Sequence, residues 1–335
     1  MECVLNRKLA IALLVFANIM WGSSYAVVKV ALEELPPPLL GALRITLATA
    51  LIWLVLLWQA WRPALSQSRR ERAEIRGAKV LGKIPRRDAL KMLGLGTLGL
   101  AIDYLLAYSG VSLSTATDAS LMIIGEVIFT TLLGVWLLGE RLSRRKLLGI
   151  ATGIAGVVTL VLGGIGASGA GVSGLARAAG DLLILCGLLG ASFYSVLGAG
   201  LSRKYRPLRM LGYAYTGAML IWAPLLLWYI ASGTFPAISA RAILGVVYLA
   251  VVTSCICQMV WFHVVRFTGA NTGAITLFIQ PLVGSLLGLL VLREPLTIAL
   301  LIGGALIFAA LYFTSVPGQK IVTGDYRLPE TPAVE

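Results

Sequence analysis

The chain of 335 residues is 58% hydrophobic and only 13% charged, with a mean hydropathy of +0.89 and a formal net charge of +13. Soluble domains carry roughly 25% charged residues, and disordered chains lack this much apolar surface, so both classes are excluded. What remains is an integral membrane protein of helical type, because apolar runs of about 20 residues recur where a β-barrel needs alternating strands of about ten.

In chain order the runs predict ten spans: 9–32, 38–61, 90–112, 116–138, 146–165, 180–202, 208–231, 241–266, 272–292 and 296–315. The fold class is therefore an all-α polytopic membrane protein of ten transmembrane helices, embedded in the lipid bilayer, with little chain left for an extramembrane domain. The first span has a signal-peptide outline, with Arg7 and Lys8 ahead of an apolar run that ends in Gly22, Ser23 and Ser24. It is read as a retained span because the sixth span repeats its pattern.

Orientation follows from the basic residues in the connections. With the N-terminus cytoplasmic, 23 Lys and Arg fall on the cytoplasmic side and three, Arg177, Arg241 and Arg293, on the other. Both termini are thus expected in the cytoplasm. The same count removes the net charge as a sign of nucleic-acid binding. The densest stretch, 69–87, reads as a positive-inside loop, with an amphipathic segment on anionic lipid as the alternative.

The halves repeat each other. A shift of 169 lays Trp21-Gly22-Ser23-Ser24-Tyr25 on Gly190-Ala191-Ser192-Phe193-Tyr194, and a shift of 154 lays Gly134, Glu140, Leu142 and Gly149 on Gly288, Glu294, Leu296 and Gly303. The predicted units are 1–165, with a basic loop at 62–89, then 175–316, then a cytoplasmic tail at 317–335. Five spans per unit is an odd number, so the second copy enters the membrane inverted. That plan belongs to secondary transporters, with the substrate site near the midplane where the repeats meet.

Trp21-Gly22-Ser23-Ser24 followed by Lys29, Arg44 early in the second span, and Gly139-Glu140-Arg141-Leu142 closing the fourth resemble the EamA-type members of the drug/metabolite transporter superfamily. The resemblance runs from about residue 9 to 315. It implies a ten-helix export carrier of the bacterial inner membrane with a central cavity, moving amino acids, their derivatives or other small metabolites. One departure stands out: the family often has Glu-Pro in the fourth span, whereas this chain has Glu126-Val127 there and keeps a proline in Gln280-Pro281. A helix break in the first half is therefore in doubt.

Ionisable residues inside spans are costly and usually face a cavity or pair. Lys29, Arg44, Asp103, Asp118 and Glu126 all belong to the first repeat. Their mates under the shifts include Tyr213 for Arg44, Cys257 for Asp103 and Gln280 for Glu126, so the charge chemistry is expected to be one-sided. Arg44 and Glu126 read either as a fixed ion pair or as a substrate or proton site. Lys29 is expected to snorkel to the outer interface and Asp118 to sit in the headgroup region.

Aromatic residues add a wall. Trp21 and Tyr25 share a helix face, as do Tyr104 and Tyr108, while Tyr194, Tyr213, Trp261 and Phe262 come from the other repeat. Such rings suit an amphipathic zwitterion through cation–π attraction. The predicted cavity comprises Trp21, Ser24, Tyr25, Arg44, Asp103, Tyr104, Tyr108, Glu126, Tyr194, Tyr213, Gln258, Trp261 and Gln280, with Glu126 and Asp103 as candidates for ion coupling. Trp58, Trp61, Trp222 and Trp228 read as interfacial belts.

Other motifs carry no chemistry. Gly94-Leu95-Gly96-Thr97-Leu98-Gly99 lacks the strand that a dinucleotide fingerprint requires and reads as close helix packing, as do Gly149 with Gly153 and Gly284 with Gly288. The glycines of the fifth span leave a homodimer open beside the expected monomer. His263 is the lone histidine, Cys3, Cys186, Cys255 and Cys257 read as buried thiols, and no Walker lysine exists. No cofactor, metal or catalytic residue is expected. The leading function is a secondary carrier exporting small amino-acid-like metabolites, ahead of a drug exporter or passive facilitator, a channel or a membrane enzyme.

Overall fold

The computed structural model describes residues 7–65, 84–138, 143–166, 173–268, 276–277 and 279–315. The motif at 139–142, the basic stretch 69–83, Cys3 and the tail 317–335 lie outside the described residues.

The described residues form helices throughout: α1 Arg7–Ala31, α2 Pro37–Leu65, and α3, which runs unbroken as Arg86–Leu95, Gly96–Ala101 and Ile102–Leu113. Next come α4 Ala116–Leu121, α5 Ile124–Leu138, α6 Arg144–Gly166, α7 Gly174–Lys204 and α8 Pro207–Ala231. The eighth apolar run becomes α9, again continuous through Ala240–Val247, Tyr248–Cys257 and Gln258–Thr268, and the chain closes with α10 Ile279–Leu290 and α11 Ile298–Ser315. Eight stretches are long and apolar enough to cross a membrane, counting α4 with α5, and α10 and α11 are two shorter apolar helices.

Regular α-helical winding is interrupted in two ways. The middle segments of α3 and α9 are wound as π-helix, a form that recurs at functional sites. The fourth run breaks at Met122–Ile123, between α4 and α5, although no proline is present. The turn is held instead by Gly125 N–H donating to Met122 O at 2.8 Å and Glu126 N–H to Ile123 O at 3.0 Å. The doubt attached to Val127 is thus removed: a break exists just before Glu126.

Glycine sets how closely the helices approach. A Cβ on Gly96 would lie 1.6 Å from the Ala214 carbonyl oxygen, and one on Gly217 2.0 Å from that of Leu93, so α3 and α8 touch backbone to backbone. Gly99 packs on Tyr194, while Gly94 faces open space, so two of the three glycines in that motif are packing residues. Gly149 and Gly156 of α6 receive Thr314 and Ile307 of α11. These glycines of the fifth span, named for a possible homodimer, pack within the chain against α11.

Trp58, Trp61 and Trp228 point outward, as belt residues should. Trp222 does not: it is fully buried in α8 over Gly41. Cys257 is buried, but Cys186 is exposed on α7, against the expectation for a buried thiol.

Candidate functional site

A cavity of about 160 Å³ opens between α1, α2, α3, α5, α7, α9 and α10. It is small beside the 300–1,000 Å³ typical of drug-sized pockets. Twelve of the thirteen residues predicted to line it do so: Trp21, Ser24, Tyr25, Arg44, Asp103, Tyr104, Tyr108, Glu126, Tyr194, Gln258, Trp261 and Gln280. Tyr213 is the exception; it turns toward Trp53 on α2, ring centroids 6.1 Å apart.

Arg44 is 4% exposed and cross-links the two halves of the chain. Its Nε donates to Ser254 Oγ at 2.8 Å, one Nη donates to Thr253 Oγ1 at 2.9 Å and Tyr104 Oη at 3.1 Å, and the other Nη donates to Tyr108 Oη. The guanidinium lies 4.1 Å from the centroid of the Tyr104 ring, which stacks on Tyr108 at 5.8 Å. Four of its five N–H groups are therefore engaged, all by neutral hydroxyls. Of the two readings of Arg44 with Glu126, the direct ion pair is not formed: Glu126 instead accepts from Ser195 Oγ at 2.8 Å. Asp103 lines the same cavity, within electrostatic reach of both Arg44 and Glu126. The Asp103 carboxylate packs against Gly187, where a Cβ would come within 3.0 Å of Oδ1.

The far wall is fixed by amide and indole contacts. Gln280 Nε2 donates to Asn18 Oδ1 at 2.8 Å, and Asn18 Nδ2 donates to Thr276 Oγ1 at 2.9 Å. The Trp21 indole donates to Thr253 O at 3.1 Å and packs edge-on against Trp261. Sequence reasoning missed Asn18, Ser195, Thr253 and Ser254, whose signal was a lone polar group or polar pair inside an apolar span.

The remaining predicted charges lie away from the cavity, at the corner of the bundle where α1 and α3 end and α4 and α7 begin. Lys29 does not snorkel outward: its Nζ donates to Val111 O at 2.9 Å and to Ser114 O, capping the C-terminal end of α3. Glu294 caps the start of α4, accepting from Ala116 N–H at 2.6 Å and Thr117 N–H at 2.8 Å. Arg293 enters the left-handed region, with φ 55°, immediately before it. Asp118, expected at headgroup level, is buried within the bundle and pairs with Arg177 at 2.6 Å. Asp181 on α7, also fully buried and hydrogen-bonded by Ser114 Oγ, was missed, so buried charge is not confined to the first half.

The sequence pattern of the EamA-like transporter family matches residues 8–162 and 178–316. A transporter of Archaeoglobus fulgidus is 26% identical over 306 residues, covering 90% of this chain and 96% of its own. The inner membrane transporter YedA of Escherichia coli K12 is 27% identical, covering 94% and 91%. A probable amino-acid metabolite efflux pump of the same organism is 24% identical, covering 88% and 90%. One crystal structure superposes with a TM-score of 0.61 over 92% of this chain and 97% of the other, at 21% identity, and so shares the fold. The family pattern spans nearly the whole described bundle, and the chain belongs to the EamA-like transporter family, a multi-pass membrane protein of the transporter class.

Proposed function

We propose that this chain is an inner-membrane secondary carrier that exports small amino-acid-like metabolites by alternating access. The observation that carries the reading is the composition of the cavity: one guanidinium, two carboxylates and a ring of aromatic faces within about 160 Å³. The free N–H of Arg44 faces a substrate carboxylate, and Asp103 and Glu126, with the faces of Trp21, Tyr25 and Trp261, receive an ammonium group. One positive against two negative groups favours a substrate with net positive or zwitterionic charge over an anion.

The carrier plan is two inverted five-helix units, 1–165 and 175–316, with ten spans and both termini cytoplasmic. Three features support it. The π-wound segments coincide under the shift of 154, Gly96–Ala101 falling within Tyr248–Cys257. Under the same shift the turn hydrogen bond from Glu126 N–H to Ile123 O falls on the one from Gln280 N–H to Leu277 O, at 3.2 Å. The helices also pair in a two-fold pattern: α2 with α8, and α6 with α11. Glu126 and Asp103 are the cavity groups available for coupling to a cation gradient.

Binding is testable without knowing the substrate. Trp21 and Trp261 flank the cavity, so the fluorescence of purified protein should respond saturably to a subset of amino acids and their amines. The response should vanish in Glu126→Gln and persist in Tyr213→Phe. Counterflow of the responding compounds into proteoliposomes then distinguishes a carrier from a channel. Absence of saturable binding across amino acids, amines and peptides would reject the substrate class, and flux without counterflow would reject the carrier.

A further inference from the structure

We propose that Asp181 and Asp118 form a proton-binding site at the corner of the bundle, separate from the central cavity and independent of what the cavity carries. Asp118 Oδ1 and Asp181 Oδ2 are both buried and have no hydrogen-bond partner. The other oxygens are engaged: Asp118 Oδ2 accepts from Arg177 Nε at 2.8 Å, and Asp181 Oδ1 accepts from Ser114 Oγ. The two carboxylates are near enough to interact electrostatically.

Charge balance points the same way. Among groups that are not exposed, the corner holds Asp118, Asp181 and Glu294 against Lys29 and Arg177, one negative charge in excess in a low-dielectric setting, while Arg293 is exposed and Glu33, also exposed, pairs with Arg241 at 3.6 Å. A single proton on Asp181 removes the excess and turns its bare oxygen into a donor. The geometry does not favour a metal ion. The carbonyls of Val111 and Ser114 are already bonded to Lys29, which leaves two carboxylate oxygens where a hard cation takes about six. Close packing holds the pair in place, since Gly110 and Gly180 bring α3 against α7, each within 2.7 Å of the other's carbonyl oxygen if given a Cβ. Asp181 also lies four residues from Arg177 on one helix face.

The test is an infrared pH titration of the purified full chain, following the carbonyl stretch of protonated carboxyl groups in sodium and in sodium-free buffer. A band that disappears as pH rises should be missing in Asp181→Asn and retained in Asp103→Asn combined with Glu126→Gln. In Asp118→Asn, which removes the neighbouring charge and frees Arg177, the same band should disappear about one pH unit lower. This second variant decides the matter if Asp181→Asn does not fold. A band unaffected by either corner substitution overturns the proposal. A titration that moves with sodium overturns it in favour of a metal cation. Neither result bears on the substrate reading, which rests on the cavity.

Discussion

At the corner, Lys29 and Glu294 satisfy the backbone groups that α3 and α4 leave unpaired at their ends, and Arg177 neutralises Asp118. At the centre, Arg44 is held by hydroxyls and rings, Glu126 by one serine, and Asp103 faces the open volume beside them. Both regions bury charges in an apolar bundle, and the difference lies in what the charges meet. Helix ends supply partners whose loss costs stability, and only Asp118 Oδ1 and Asp181 Oδ2 among the described corner carboxylate oxygens stay buried and bare. A cavity leaves charges under-satisfied, which costs stability in the resting protein and supplies groups for a substrate.

That contrast predicts opposite responses to neutralisation. Arg177→Met strands Asp118 and should cost about 3–5 kcal/mol, read as a large fall in thermal midpoint in detergent. Asp103→Asn and Glu126→Gln should leave the midpoint unchanged or raised while abolishing the fluorescence response. If Asp103→Asn destabilised the fold as much as Arg177→Met, the division of labour would be wrong. Glu294→Gln should come next, at about 1.5–3 kcal/mol, because it weakens charge-assisted bonds to the first amides of α4 without emptying the space.

Much of this was legible from residue types alone. Span positions follow from apolar run length, and α1, α2, α6 and α8 start and end within a few residues of the expected limits. Cavity lining follows from asking which polar and aromatic residues lie inside spans. Partner choice did not follow. Opposite charge suggested Arg44 with Glu126, but the π-wound segment of α9 brings Thr253 and Ser254 to the guanidinium first. Asp118 was read from its place at a span end, which names no partner; α4, set off by the break at Met122–Ile123, is buried in the bundle and brings it to Arg177. Tyr213 was nominated by its register with Arg44, and register fixes a position along a helix but not the face it presents.

Gly96 sharpens the comparison from another side, since it packs α3 on α8 without touching the cavity's charges. Gly96→Ala forces a methyl to within 1.6 Å of a carbonyl oxygen of α8, where nothing flexible can yield. The expected cost is about 1–3 kcal/mol, with α3 displaced and Tyr104 and Tyr108 drawn off Arg44. Gly94→Ala, facing open space on the same helix, should be neutral or slightly stabilising. Equal effects at both positions would show that propensity rather than contact governs α3.

The smallest effect is expected at the exposed link between the α1–α2 connection and α9, where a charge also meets a helix start but water competes. Glu34 accepts from Ser239 N–H at 2.8 Å and Ser239 Oγ at 2.6 Å, and Ser239 Oγ in turn caps α9 by accepting from Ala242 N–H. The Ser239 hydrogen bonds hold the Glu34 carboxyl below its ordinary value. A group whose folded value is depressed contributes stability above its unfolded value and loses that contribution as pH falls through the folded one. Glu34→Gln should therefore match the parent protein in strongly acidic buffer and fall slightly below it as pH rises to neutrality. Salt should shrink the gap, because the site lies at the surface. A difference between the two proteins that grew toward acid instead would mean that Glu34 stabilises the protein in its protonated form, and that its hydrogen bonds to Ser239 do not hold at the surface.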